Sequence, residues 1–223
     1  MPKILEVYIV VPVFNSEFIL PLLIKRLKEA FSKSSFGYEL ILVDDQSSDH
    51  SWRIIQEYQE KFDFVKGIQN AQNLGQAYTT LKGISKASGQ YIATIDDDLE
   101  YNPEEIMDLY HVLLLKNVDL VFGVAPQKYQ LQGKNPYFAK LRNKMLNFIW
   151  NKPLTDSFKI FKRSLVFKDG KNILKVPFEV FLKKNVDTIS IEYHDVGYNK
   201  RFYGKSNYTL WKKIRLFLEM SFN

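Results

Sequence analysis

Unbroken apolar runs alternate with helical periodicity through the first 124 residues. Residues 7–14 read Val-Tyr-Ile-Val-Val-Pro-Val-Phe, a continuous run that marks a strand covered on both faces rather than one with a wet side. Pro12 lacks an N–H for a ladder, so the strand is expected to end there. Leu20, Leu23, Ile24 and Leu27 then recur at helical spacing over 18–31, with Pro21 tolerated in a first turn. A second strand ends at Val43. Ser48 or Asp49 can cap a helix over 50–61 whose apolar face carries Trp52, Ile55 and Tyr58. A short strand over 64–69 follows. Asn73-Leu74-Gly75 then turns into a helix over 75–87, which Ser88-Gly89 stops, and the next strand covers 91–95. Pro103, Glu104 and Glu105 open a helix running to 116, and 119–124 is another strand. This order predicts an α/β fold: a mainly parallel central sheet flanked by helices, with right-handed crossovers.

The pattern loosens afterwards. Pro126, Gly133 and Pro136 predict a loop ahead of a helix over 137–150. A last amphipathic helix is expected over 208–220, with Leu210, Trp211, Ile214, Phe217 and Leu218 on one face and Lys212, Lys213 and Arg215 on the other. Such a helix suits a bilayer surface and equally suits packing against the domain. The chain is expected to form one domain over 1–223, with 1–124 and 125–223 as its two halves.

Carboxylates gather where two strands end. Asp96-Asp97-Asp98 follows one apolar strand and Asp44-Asp45 another. Three adjacent acids repel one another unless a cation or hydrogen-bond donors neutralise them, which points to a metal site facing a phosphorylated substrate. In an open parallel sheet the C-terminal strand ends share one edge, so both clusters should reach a single site.

Composition narrows the chemistry. With no cysteine, disulfides, zinc thiolates and a Cys nucleophile are excluded. His50, His111 and His194 are too scattered for a metal centre, so oxygen ligands remain, favouring Mg²⁺ or Mn²⁺. The formal net charge of +6 is uneven: residues 1–115 carry 10 Lys/Arg against 17 Asp/Glu, and residues 116–223 carry 21 against 8. An acidic half joined to a basic half suits a second anionic partner, such as a lipid phosphate or a membrane surface, though lysines that merely solvate the surface would look the same. Pro2 and Glu6 flank only a short apolar run, and no later stretch reaches about 18 uncharged apolar residues. A soluble or peripheral protein is expected.

These segments resemble the inverting nucleotide-sugar glycosyltransferases of family 2, with the GT-A fold, and within them the branch that transfers sugars to dolichyl or undecaprenyl phosphate. Val11-Pro12-Val13-Phe14-Asn15-Ser16-Glu17 resembles the family's first-strand motif, which implies nucleotide contacts from Pro12, Phe14, Asn15 and Glu17. Val43-Asp44-Asp45-Gln46-Ser47-Ser48-Asp49 matches the second motif, where Asp44 would bind the base; Gln46 stands where the family usually has Gly or Asn. Asn73-Leu74-Gly75-Gln76-Ala77 matches the Asn-x-Gly segment, adding Asn73, Gly75 and Gln76 to the donor site. Asp96-Asp97-Asp98-Leu99-Glu100 resembles the DxD motif: Asp98 would coordinate the divalent ion, Asp96 would touch the ribose or a metal-bound water, and Asp97 joins the cofactor-binding set. Thr155 to Arg163 resembles the acceptor loop, with Lys159 replacing an Arg that would contact phosphate. Arg201-Phe202-Tyr203-Gly204-Lys205-Ser206-Asn207-Tyr208 matches a segment typical of polyprenyl-phosphate transferases, so Arg201, Lys205 and Ser206 would bind phosphates.

The resemblance implies a hexosyltransferase that moves a sugar from a nucleoside-diphosphate donor, UDP or GDP, to a polyprenyl phosphate, with Mg²⁺ or Mn²⁺ as cofactor. It would work at the cytoplasmic face of the membrane as a peripheral protein, and a homo-oligomer stays open. With a phosphate acceptor no strong base is needed, whereas a saccharide or protein hydroxyl would require one, for which Asp156 is the candidate. A non-enzymatic phosphoacceptor or anion-binding module is the other alternative, since Asp44-Asp45 and Lys152-Pro153 have counterparts in receiver modules; against it, a full βα unit precedes Asp44 and a long basic half follows. No Gly-x-Gly-x-x-Gly follows the first strand, against a nicotinamide enzyme, and the aromatics form no nucleic-acid module.

Overall fold

The computed structural model describes residues 5–32, 34–125, 157–169 and 171–199. Its first part follows the alternating pattern: β1 (Leu5–Val13), α1 (Leu20–Phe31), β2 (Gly37–Asp44), α2 (Ser51–Lys61), β3 (Val65–Gln69), α3 (Gln76–Ile84), β4 (Tyr91–Thr94), a 3₁₀ turn (Pro103–Glu105) leading into α4 (Ile106–Lys116), and β5 (Leu120–Val124). The later described residues form β6 (Lys159–Lys162), a small hairpin of β7 (Phe167–Lys168) and β8 (Lys171–Asn172), α5 (Phe178–Asn185) and β9 (Ile191–Asp195). The helices expected over 137–150 and 208–220 lie outside the described residues.

Seven strands form one sheet in the order β3-β2-β1-β4-β6-β5-β9. Every pairing is parallel except the two made by β6, which runs antiparallel between β4 and β5. The apolar runs alternate between two cores, as the two-residue strand period requires. Val7, Ile9, Val11 and Val13 face one core with α1, α2 and α4, whereas Tyr8 and Val10 face the other, closed by α3, α5 and the β7–β8 segment. Gly83 permits the close approach of α3, because a Cβ there would run into the Val10 side chain.

β1 continues one residue beyond Pro12, against expectation. Along a parallel ladder, successive residues bond alternate neighbours: Val13 O accepts from Asp45 N on the β2 side at 2.8 Å, and Val10 O accepts from Ile95 N on the β4 side at 3.2 Å. Pro12 shares the parity of Val10, and the β1–β4 ladder ends at Val10–Thr94. The proline nitrogen therefore falls one step beyond the last β1–β4 pair, so its missing N–H breaks no bond of that ladder. Other boundaries also differ, α1 among them, which starts at Leu20 rather than 18. α3 stops at Ile84 and unwinds through single turns closed by Lys86 N and Ala87 N, and Ile95 follows β4 rather than belonging to it.

Candidate active site

β1, β2, β3 and β4 are parallel, so Val13, Asp44, Gln69 and Thr94 end at one edge. The antiparallel β6 starts at that same edge, because Lys159 pairs with Thr94. This topology brings the acid clusters of the first half beside the start of the second.

The loops after β1 and β2 are stitched together. Asn15, at φ 54°, donates its N–H to Ser47 Oγ (2.9 Å) and accepts from Ser48 N through Oδ1 (2.8 Å). Ser16 N donates to Ser51 Oγ (2.8 Å), and Glu17 N to Asp49 Oδ2 (3.1 Å). Glu17 Oε2 accepts from His50 N at 3.0 Å and lies 2.8 Å from His50 Nδ1. Asp49, expected to cap α2, receives Ser51 N at 2.9 Å, but the capping position falls to His50, with no side-chain cap bond. Asn15 and Glu17 are thus fixed in place before any ligand arrives.

Asp44 and Asp45 are both enclosed, at 0% and 3% exposure. The Asp44 carboxylate accepts from Ser47 N (3.2 Å) and from the Gln69 amide (3.1 Å). Asp45 does more structural work: Oδ1 accepts from Asn70 Nδ2 and Leu74 N, and Oδ2 from Gly75 N, all at 2.8 Å. Gly75 sits at φ 82°, a conformation open to glycine at little cost, and this turns its N–H onto the carboxylate. Asn73 is exposed and donates through Nδ2 to Asp45 O at 3.1 Å. From the sequence Asp45 was expected at the site only as a member of the Asp44-Asp45 pair, with no role of its own.

The three acids after β4 diverge. Asp96 is held from both halves, by Gln76 Nε2 on one carboxylate oxygen and by the Ser157 hydroxyl on the other (2.7 Å). Thr94 Oγ1 also donates to Ser157 O. Asp97, expected among the cofactor-binding residues, turns back to the β1 loop, where one oxygen accepts from Phe14 N (3.1 Å) and from the Ser16 hydroxyl. Burial pushes the Asp97 carboxyl up to about 6, against the lowering by the Ser16 and Phe14 hydrogen bonds, with Asp98 close by adding to the rise. Asp98 remains partly exposed, and its Oδ1 accepts from Glu100 N at 3.1 Å. Leu99 between them takes φ 56° and is 2% exposed. A left-handed leucine is strained, and its burial holds the turn that presents Asp98.

The second half meets the same turn. Asn199 N donates to Glu100 O (2.8 Å), Tyr198 Oη to Glu100 Oε2 (2.6 Å), and Gly197 N to Glu105 Oε1 (2.8 Å). Asp156, Arg201, Lys205 and Ser206 lie outside the described residues. Their described neighbours Ser157 and Asn199 both bond within Asp96–Glu100. Ser157, Glu100 and Tyr198 were not named as site residues from sequence; the first two stood inside the quoted motifs, and Tyr198 gave no signal.

Lys159 is not where a phosphate contact requires. It is 1% exposed, its Nζ donates to Glu179 Oε1 at 3.1 Å, and it lies over the Phe122 and Phe178 rings. Its position at the start of a central strand turns it inward between aromatic faces, and a glutamate from the N-terminal end of α5 balances the charge.

The donor set on the turn fits a hard cation. Mg²⁺ and Mn²⁺ prefer oxygen, and Mg²⁺ is commonly held by one or two carboxylates with substrate phosphate and water completing the shell. Among the described residues no three His, Asp or Glu side chains converge on one point.

Comparison with known proteins agrees with this geometry. The sequence profile described as "Glycosyl transferase family 2" matches residues 8–169. The undecaprenyl-phosphate 4-deoxy-4-formamido-L-arabinose transferase of Photorhabdus laumondii subsp. laumondii is 28% identical over 231 aligned residues, which cover 98% of this chain and 67% of that protein. The chain thus spans about two thirds of the length of this relative. Among solved structures, glucosyl-3-phosphoglycerate synthase from Mycobacterium tuberculosis, in complex with Mn²⁺, UDP-glucose and phosphoglyceric acid, superposes with a TM-score of 0.68 at 16% identity, covering 96% of this chain and 79% of that one. The same enzyme with Mg²⁺ and UDP gives a TM-score of 0.63 at 17% identity, covering 96% and 79%. With the family profile spanning both acid clusters, Asp44-Asp45 and Asp96-Asp97-Asp98, and the fold superposing on those structures, the chain belongs to glycosyl transferase family 2, as an enzyme of the GT-A fold.

Proposed function

We propose that the protein transfers a sugar from a nucleoside diphosphate, with UDP the favoured carrier, to a polyprenyl phosphate, with inversion at the anomeric carbon. The observation that carries this reading is the turn Asp96–Glu100. It is tied to the nucleotide-side loop through Asp97 and to the acceptor-side segments through Ser157, Tyr198 and Asn199. The Mn²⁺ and UDP-glucose of the structural relative support a metal-assisted UDP-sugar donor. The name of the 28% identical relative supports a lipid phosphate acceptor.

In this reading Asp98 and Asp96 hold the divalent ion, and Gln76 and Ser157 fix the direction of Asp96. The ion, when bound, neutralises charge growing on the leaving diphosphate. Pro12, Phe14, Asn15, Glu17, Asp44, Asn73 and Gly75 belong to the nucleoside side, and Asp97 serves it by tethering the two loops. Arg201, Lys205 and Ser206 supply phosphate donors, a set that Lys159 leaves because it is enclosed with Glu179. The acceptor oxygen is already anionic, so positioning replaces general-base catalysis; Asp156 acts as a base only if the acceptor is a hydroxyl. No helix among the described residues is long and apolar enough to cross a membrane. The reading places the protein peripherally at the cytoplasmic face, drawn there by the basic half.

Two measurements test this. Heat stability with UDP, GDP, CDP and TDP, each with Mn²⁺ or EDTA, should rise for UDP and only with the metal, since ligands of the native state raise its melting temperature. Labelled UDP-sugars should then give a metal-dependent product on undecaprenyl phosphate in detergent. Transfer to a saccharide or protein hydroxyl instead would replace the acceptor assignment, and stabilisation by another nucleotide would replace the donor.

A further inference from the structure

Gln46 is exposed and sits at φ 59°, in the left-handed region where a Cβ-bearing residue crowds its own carbonyl. Glycine or asparagine would fill that turn with less strain. The side chain shows what glutamine adds. Its Nε2 donates to Ala71 O at 3.1 Å, and its Oε1 accepts from Asn73 N at 3.1 Å. One amide thus spans from the turn after β2 to the loop after β3, gripping that loop on both sides of residue 72.

Its neighbours reach toward the same region. Asp44 receives the Gln69 amide, and Asp45 receives Asn70, Leu74 and Gly75. Those two attachments are buried or partly buried, whereas the Gln46 bridge is exposed. Asparagine could not make it, being one methylene shorter, and glycine has no side chain at all. The bridge also fixes Asn73, whose backbone N–H is bound to Gln46 while its own amide returns to Asp45 O.

We infer that Gln46 is a positioning residue for the donor nucleoside: it locks the spacing between the 44–47 turn and the 71–73 loop, and so sets affinity for the nucleotide. The inference rests on the proposed reading that these loops hold the nucleoside. Gln46 lies on the loops assigned to the nucleoside rather than on the turn bearing Asp98. Its bridge should therefore act equally on bound substrate and transition state, appearing in donor KM and leaving kcat unchanged.

The test compares wild type with Gln46→Gly and Gln46→Asn, both compatible with φ 59°, so neither is expected to unfold the chain. UDP binding with Mn²⁺ is measured by calorimetry, and donor and acceptor KM by steady-state transfer. Each variant should weaken UDP binding and raise donor KM roughly tenfold, the scale of losing two modest hydrogen bonds, with kcat and acceptor KM within about twofold. Gln46→Glu should resemble them, because a carboxylate cannot donate to Ala71 O. Wild-type donor KM in Gln46→Gly and Gln46→Asn, with or without a change in melting temperature, would overturn the role of the bridge. A wild-type chain that binds none of the nucleoside diphosphates would instead overturn the reading beneath it.

Discussion

The acids after β2 and those after β4 look alike in sequence, yet the structure sets Asp45 and Asp98 in different surroundings. Asp44 and Asp45 are buried at 0% and 3% exposure, and the Asp45 carboxylate receives two backbone N–H groups of the 74–75 turn and the Asn70 amide. Asp96 and Asp98 remain partly exposed. Asp96 is oriented by two neutral side-chain donors, and Asp98 by the Glu100 N–H. A carboxylate enclosed with the backbone donors of a neighbouring turn shapes that loop, whereas one at a partly exposed strand end can face a ligand. An Asp pair at a strand end is therefore not by itself a ligand site, since enclosure by a neighbouring turn can claim it for the fold.

Substitution on each side should separate the two roles. Asp98→Asn keeps the shape and can still accept from Glu100 N, so the fold and melting temperature should hold. Metal-dependent transfer should fall by roughly 10²–10³, the scale of removing one element of transition-state charge stabilisation. Full activity would remove Asp98 from the metal site. Asp45→Ala should do the reverse and act first on stability. It strips acceptors from Leu74 N, Gly75 N and the Asn70 amide, at a cost of about 2–3 kcal/mol since part of the loop can turn to water. Urea unfolding would show this as a lowered midpoint; an unchanged midpoint would show that the 73–75 turn stands without its carboxylate.

The pattern of apolar runs was enough to place β1 to β5 and their helices, because the central strands β1, β2, β4 and β5 are covered on both faces, the edge strand β3 is short and bounded by turns, and each helix shows a single stripe. β6 was not legible. Lys-Ile-Phe-Lys is four residues long with charged ends, and only the tertiary pairing with β4 and β5 makes it a central strand. The same blindness misplaced Lys159. A lysine in a motif that usually carries a phosphate-binding Arg reads as exposed, and the Glu179 that balances it lies 20 residues on, beyond any local signal. Gln46 was conspicuous as a departure from the family's turn, but the partners of its amide, Ala71 and Asn73, follow only from the approach of two loops.

Asp97 gives the smallest expected effect and the sharpest test of what lies between the two acid clusters. Its carboxyl titrates near 6 in the folded protein against an ordinary 3.8, raised chiefly by burial. Between those values the native state holds a proton that the unfolded chain has released. The resulting contribution to stability is complete below pH 3.8 and is lost as pH rises through 6. Asp97→Asn cannot titrate, and its amide oxygen can still accept from Phe14 N and the Ser16 hydroxyl, so the tether should survive. Urea midpoints at pH 4, 5, 6 and 7 in EDTA should fall less steeply for Asp97→Asn than for wild type, by on the order of 2 kcal/mol over the window. Parallel pH profiles would mean that Asp97 is charged throughout this range at little cost. The β1 loop and the Asp98 turn would then be joined by a carboxylate better solvated than its burial implies.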